Sequence, residues 1–293
     1  MDPVQEAVSK ITVPLILQRK LRGEKITCLT AYDFPTARLV DEAGIDVVLV
    51  GDSLAQVVLG YASTLPVTVG EMLHHVRAVR RGTRRALLVA DFPFGAFHVS
   101  QNKAVATGIR YLKEGGAEGV KLEGGRKRAA LIRRLVDSEI PVMGHVGLTP
   151  QSIHAMGGHR VQGRTFESAS EILADAQAVE DAGAFAVVLE GIPRELAALI
   201  TRRLRIPSIG IGAGPECDGQ ILVIHDLLGL TPEPRPKFVR SYACCAEIAR
   251  QALVHYRSDV LEGRFPGEAE SYHWPAEVRE QFEGSPLPLH GKH

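Results

Sequence analysis

Three carboxylates in this sequence share one setting. Asp52, Asp91 and Glu123 each close a short apolar run: IDVVLVGDSL at 45–54, ALLVAD at 86–91 and AEGVKLE at 117–123. Such a run has the pattern of a buried strand, here with an acid at its carboxyl end. Acids on neighbouring strands converge and raise one another's pKa. A divalent cation relieves that repulsion, and all-oxygen ligation suits Mg²⁺ or Mn²⁺ better than Zn²⁺. The chemistry expected of Asp52, Asp91 and Glu123 is therefore a hard-metal site. The plainer alternative makes one of them a helix cap or a salt-bridge partner.

Glu190 ends a further apolar run at 186–189, two strand–helix units beyond Glu123. It is expected to face the metal from across the same opening. Apolar, partly closed surroundings suit a carboxylate to work as a general base. A metal on one side and a base on the other is the layout for removing a proton α to a carbonyl. Lys121, two residues before Glu123, points the same way. It can neutralise a substrate carboxylate, and a Schiff-base role is the alternative. His145 can donate to a substrate oxygen or be structural. His225 and Asp226 follow the last apolar run.

Two stretches invite other chemistry. GDSL at 51–54 matches the nucleophile block of an esterase family, but no Asp-x-x-His follows anywhere in the chain. GIGAG at 210–214 lacks the G-x-G-x-x-G spacing and is expected to be a tight turn after a strand, where barrels often place anions.

The elements that must position these groups alternate regularly. Strands are expected at 26–31, 45–50, 86–90, 119–122, 141–146, 185–189, 208–211 and 221–224. Helices are expected at 13–22, 34–44, 69–81, 100–114, 126–138, 166–182, 193–204 and 242–262. The strands are continuously apolar, as in a parallel sheet covered by helices. Eight such units point to a closed (βα)₈ barrel, with an open doubly wound sheet as the alternative. The expected organisation is one barrel domain over 1–273, including an N-terminal lead-in. A peripheral tail over 274–293 follows, where Pro275, Pro286 and Pro288 discourage regular structure.

The composition narrows the class. The chain has 293 residues, 45% hydrophobic, with 34 basic and 34 acidic side chains. That balance argues against a nucleic-acid footprint. Five arginines between Arg77 and Arg85 read as a solvated helix face, or alternatively as a subunit or anion contact. Cys28, Cys217, Cys244 and Cys245 show no CxxC spacing, which fits a reducing compartment. No signal pattern and no apolar run of about 20 residues is seen, so a cytoplasmic protein without a membrane partner is expected.

Ten blocks in order resemble the ketopantoate hydroxymethyltransferase family: TAYD at 30–33, VGDSL at 50–54, STLPVT at 63–68, ADFPF at 90–94 and VKLEGG at 120–125, then GHVGLTPQS at 144–152, GGHRVQG at 157–163, IGIGAG at 209–214, DGQILV at 218–223 and PKFV at 236–239. The resemblance runs from about Thr12 to His273. It implies a (βα)₈ TIM barrel of the phosphoenolpyruvate mutase/isocitrate lyase type. It implies transfer of a hydroxymethyl group from methylenetetrahydrofolate to 3-methyl-2-oxobutanoate, giving ketopantoate for pantothenate biosynthesis, by metal-stabilised enolate chemistry. It implies one Mg²⁺ per subunit on Asp52, Asp91 and Glu123. Substrate contacts fall on Asp52, Ser53, Asp91 and Lys121, the proton acceptor falls on Glu190, and the assembly is a homodecamer. Three positions depart from the family's usual residues: Ala55, Arg160 and Glu270. Rival functions are another enolate-forming carbon–carbon lyase of the same superfamily and a GDSL-type esterase. The lyase group's Lys-Lys-Cys-Gly-His-type loop is absent from the sequence.

Overall fold

A computed structural model describes residues 9–158, 160–232 and 235–284. The chain opens with α1 (Val13–Arg22), β1 (Ile26–Thr30), α2 (Phe34–Glu42), β2 (Val47–Val50), α3 (Leu54–Val57), α4 (Val69–Gly82), β3 (Leu87–Asp91) and α5 (Gln101–Lys113). It continues with β4 (Gly119–Glu123), α6 (Ala129–Val136), β5 (Val142–Gly147), α7 (Ile153–Met156), α8 (Phe166–Asp181) and β6 (Ala186–Glu190). Then come α9 (Arg194–Arg203), β7 (Ser208–Ile211), β8 (Gly219–Leu222) and α10 (Ile224–Leu227). The strands form a closed barrel in sequence order, every neighbouring pair parallel, with β8 returning to β1.

Alternation along the strands separates two apolar layers. Val47 and Leu49 of β2, Leu87 and Val89 of β3, Met143 of β5 and Val188 of β6 fill the barrel interior. Their neighbours Val48, Val50, Leu88, Ala90, Val142 and Val187 pack outward against the helices. Helix α1 starts where expected and carries Ile16 into the interior cluster. It therefore plugs the amino-terminal end, held there by Arg19 to Asp46 at 2.7 Å and Lys20 to Asp218 at 2.7 Å. The carboxyl-terminal end stays open for a site.

Local chemistry sets the helix starts. Asp33 caps α2 by accepting from the Thr36 amide at 2.8 Å. Thr68 and Glu71 form a reciprocal capping box on α4. The arginine-rich end of α4 is paired: Arg77 reaches Glu114 at 2.7 Å, Arg80 reaches Glu118 at 3.3 Å, and Arg85 reaches Asp46 at 3.2 Å.

Two expectations shift. Strand β8 begins two residues earlier than the apolar run at 221–224 suggests. A Cβ at Gly219 would lie 2.5 Å from the Ile26 carbonyl oxygen, so the bare glycine lets β8 close on β1 there. Ile224 then leaves the sheet, its amide donating to Thr30 Oγ1 at 3.0 Å, so His225 and Asp226 lie in α10.

The chain falls into two compact units, divided after Ala243. The second contains α11 (Cys245–Leu261) and α12 (Ala276–Glu283). The last expected helix, placed by sequence in the barrel domain, thus belongs to this second unit. The expected tail over 274–293 is regular at 276–283, because Pro275 precedes a helix start, where a proline costs nothing. Its remainder at 285–293 lies outside the described residues. All four cysteines are unpaired. Among the described residues, no helix is long and apolar enough to cross a membrane.

Candidate active site

Strand parity carries most of the expected side chains into the barrel. Leu87 and Val89 point inward, so Asp91 does too; Met143 leads to His145, and Ala186 and Val188 lead to Glu190. Lys121 and Glu123 keep the same parity on β4. Asp52 lies in the turn after β2, and its amide approaches Asp91 Oδ2 at 3.4 Å. Asp52, Asp91, Lys121, Glu123 and His145 are all buried, while the Glu190 side chain is 15% exposed. Together with Ser53 they line one cavity of about 920 Å³.

The floor of this cavity is strongly polar. Lys121 Nζ donates to Asp91 Oδ2 at 2.6 Å. His145 stands between two acids, Nε2 at 3.2 Å from Glu190 Oε2 and Nδ1 at 3.6 Å from Glu123 Oε1. Neither nitrogen is aligned as a hydrogen bond, so these are close approaches rather than fixed bonds. Ser53 Oγ shares a 2.8 Å hydrogen bond with the buried Tyr32 hydroxyl.

Burial is the largest influence on the titration of Asp91, Glu123, Lys121 and His145. It pushes the Asp91 carboxyl up to about 7, with Lys121 pulling down and Asp52 pushing further up. Burial, then the Asp52 charge, raises Glu123 well above the usual carboxylate range. Burial works against the Lys121 charge, yet the fields of Asp91, Asp52 and Glu123 outweigh it and hold the ammonium protonated. Burial, then Lys121, lowers His145 and keeps the ring neutral. Four acids (Asp52, Asp91, Glu123 and Glu190) thus share the floor with one permanent cation, Lys121. A low-dielectric site with that imbalance favours a further cation or protons.

Two residues that support this floor from behind escaped sequence reasoning. Gln151 is buried in the turn after β5. Its Nε2 donates to Asp52 Oδ2 at 2.9 Å and to the Phe92 carbonyl at 2.8 Å, and its amide donates to Glu123 Oε2 at 3.1 Å. It therefore ties two of the acids together. The available signal was its place in the GHVGLTPQS block at 144–152. Tyr32 was missed likewise, although it lies in the TAYD block. Asp226 lines the cavity, whereas His225 packs against the Tyr32 ring at 5.5 Å. The glycine stretch after β7 is the expected tight turn, with positive φ at Gly212 and Gly214. His159, within the GGHRVQG block, lies outside the described residues.

Known structures share this closed barrel fold. A phosphonopyruvate hydrolase in complex with oxalate and Mg²⁺ superposes with a TM-score of 0.59, at 15% identity, covering 93% of this chain and 95% of that one. A 2,3-dimethylmalate lyase, a member of the phosphoenolpyruvate mutase/isocitrate lyase superfamily, gives 0.53 at 17% identity, covering 94% and 95%. The chain is a (βα)₈ barrel with the fold of these structures. The profile of one family, ketopantoate hydroxymethyltransferase, matches residues 10–268. A 3-methyl-2-oxobutanoate hydroxymethyltransferase of Koribacter versatilis is 57% identical over 275 residues, 94% of this chain and 93% of the relative. Another, of Trichlorobacter lovleyi, is 57% identical over 263 residues, 90% of this chain and 98% of the relative. The chain belongs to the ketopantoate hydroxymethyltransferase family.

Proposed function

We propose that the cavity floor removes the C3 proton of 3-methyl-2-oxobutanoate, with Glu190 as base, and that C3 then takes the one-carbon unit of methylenetetrahydrofolate. The chain is a hydroxymethyltransferase, and its product is ketopantoate, a precursor in pantothenate biosynthesis. The supporting observation is the charge of the floor, where four carboxylates meet a single ammonium.

The residues fit a divalent cation. Asp91 Oδ1 and Glu123 Oε1 are buried without a hydrogen-bond partner, so each has a lone-pair site to offer. Among the described residues, no three His, Cys, Asp or Glu side chains stand close enough to hold an ion by themselves. Mg²⁺ does not require that, because it keeps several waters and takes one or two carboxylates. Asp52, Asp91 and Glu123 are the carboxylates from which it would take one or two, with waters completing its shell. When bound there, the ion supplies positive charge opposite the keto oxygen as the C3 proton leaves.

The chain's own groups divide the remaining work. Lys121 offsets the substrate carboxylate. Ser53, oriented by Tyr32, donates to a substrate oxygen, and His145 supports it from the β5 side. Glu190 takes the C3 proton. A C3–C bond forms, the folate C–N bonds break, and water supplies the hydroxyl oxygen. The C3 proton and one water proton end on the folate nitrogens. The Ser53 partner is a phenol rather than an imidazole, which suits a binding contact better than an esterase nucleophile. A cytoplasmic location and a homodecamer belong to the same proposal.

The test is exchange of the C3 proton of 3-methyl-2-oxobutanoate into deuterated water, followed by NMR with and without Mg²⁺. Mg²⁺-dependent loss of the C3–H signal is expected. No exchange under any condition would overturn the assignment.

A further inference from the structure

The cavity is much larger than the oxoacid needs. A volume of about 920 Å³ lies at the upper end of the range, ~300–1,000 Å³, that takes drug-sized molecules. Its character changes from floor to mouth. The floor is acidic and buried. The mouth is lined by apolar Val161 and Phe238, 54% and 37% exposed, and by the exposed cations Arg160 and Lys237.

Phe238 is set in place by the turn after β7. A Cβ at Gly212 would lie 2.8 Å from ring Cδ1 and 3.1 Å from Cγ, so the phenyl ring rests directly on glycine backbone. Gly212 has φ +63, which also favours glycine. The ring is thus a supported aromatic surface facing the cavity. The two cations beside it are available: among the described residues, neither Arg160 nor Lys237 has an acidic partner. Arg194 on the same wall differs, being ion-paired to Glu216.

We infer that this mouth is the subsite for the aryl and glutamyl part of the folate cosubstrate, with Phe238 and Val161 against the aminobenzoyl ring and Arg160 and Lys237 receiving the glutamyl carboxylates. The inference rests on the functional reading above. That reading places the one-carbon unit at the floor beside Glu190, so the rest of the folate extends outward. An aromatic ring followed by carboxylates then meets an apolar wall followed by cations.

The experiment measures Kd for tetrahydrofolate carrying one and three glutamates. The proteins are wild type, Arg160→Ala/Lys237→Ala, the conservative Arg160→Lys/Lys237→Arg, and Phe238→Ala, each confirmed folded by thermal unfolding. Wild type is expected to favour the triglutamate, with an affinity that falls as salt rises. The double alanine variant should lose that preference and its salt dependence, weakening triglutamate binding roughly tenfold. The conservative pair should retain both. Phe238→Ala should weaken both forms roughly fivefold. Wild-type Kd values and salt dependence in the double alanine variant would overturn the subsite alone. A wild-type protein that binds neither folate overturns the functional reading and the subsite with it.

Discussion

Replacing Gln151 by leucine removes two donated hydrogen bonds behind the cavity floor while keeping side-chain volume. The lost bonds run to Asp52 Oδ2 at 2.9 Å and to the Phe92 carbonyl at 2.8 Å; the amide bond to Glu123 belongs to the backbone and stays. A hydrogen bond to a carboxylate contributes about 1.5–3 kcal/mol and one to a neutral carbonyl about 1 kcal/mol. Both acceptors are left in a buried site, so the folded state should lose ~2–4 kcal/mol, read as a Tm lower by several degrees. The larger consequence is positional. If about 2 kcal/mol of the Asp52 bond serves to hold that carboxylate toward the metal site, cation binding weakens ~30-fold. Orienting partners of metal ligands typically carry about 10–100-fold, a range that includes this value. Mn²⁺ is a convenient probe, because its free-ion electron paramagnetic resonance signal reports Kd directly. A folded Gln151→Leu protein with the wild-type Mn²⁺ Kd would refute the role assigned to Gln151.

Ser53→Ala should lower kcat/KM for the oxoacid about tenfold without abolishing turnover, as loss of one substrate hydrogen bond predicts; complete loss would restore a nucleophilic role. The His98 ring accepts from the Gly95 amide at 3.2 Å through Nδ1, and burial, then the Arg128 charge, lowers its pKa. Its contribution to stability is therefore full above about 6.5, the unfolded value, and is lost as pH falls through the lower folded value. An NMR titration should show the Gly95 amide shifting with a midpoint below 6.5, and a midpoint at or above it would contradict this. Gly144→Ala would place a Cβ 2.4 Å from Val179 Cγ1, one residue before His145. Overpacking of this kind costs about 1–3 kcal/mol, seen as a lower Tm, and an unchanged Tm would mean that α8 yields freely.

The strand-end acids were legible because their positions follow from local rules. Asp91, Glu123 and Glu190 close apolar strands, and parity alone turns them inward. Asp52 needed the barrel as well, since it sits in a turn where parity no longer applies. Gln151 was illegible for a stronger reason: a glutamine in a polar loop becomes buried only when the loop folds back over Asp52 and Glu123. The same limit displaced β8. Its apolar run extends to Ile224, but the closing contact of Gly219 with β1 decides the register. Helix α12 is masked in the sequence by Pro275, which discourages regular structure inside an element yet is compatible with a helix start. The extent of α11 was visible in the sequence, whereas its membership of a second compact unit depends on three-dimensional contacts.

The central claim is that Glu190 takes a proton from C3 of 3-methyl-2-oxobutanoate. The most direct measurement is the rate of C3 proton exchange into deuterated water with Glu190→Gln, with Mg²⁺ present and folate absent. The amide keeps the shape of the side chain beside His145 but is a far weaker base. Exchange should fall by about 10²–10⁴-fold, as expected for removal of a positioned base, while the oxoacid still binds. Exchange at the wild-type rate in a folded, oxoacid-binding Glu190→Gln protein would contradict the account.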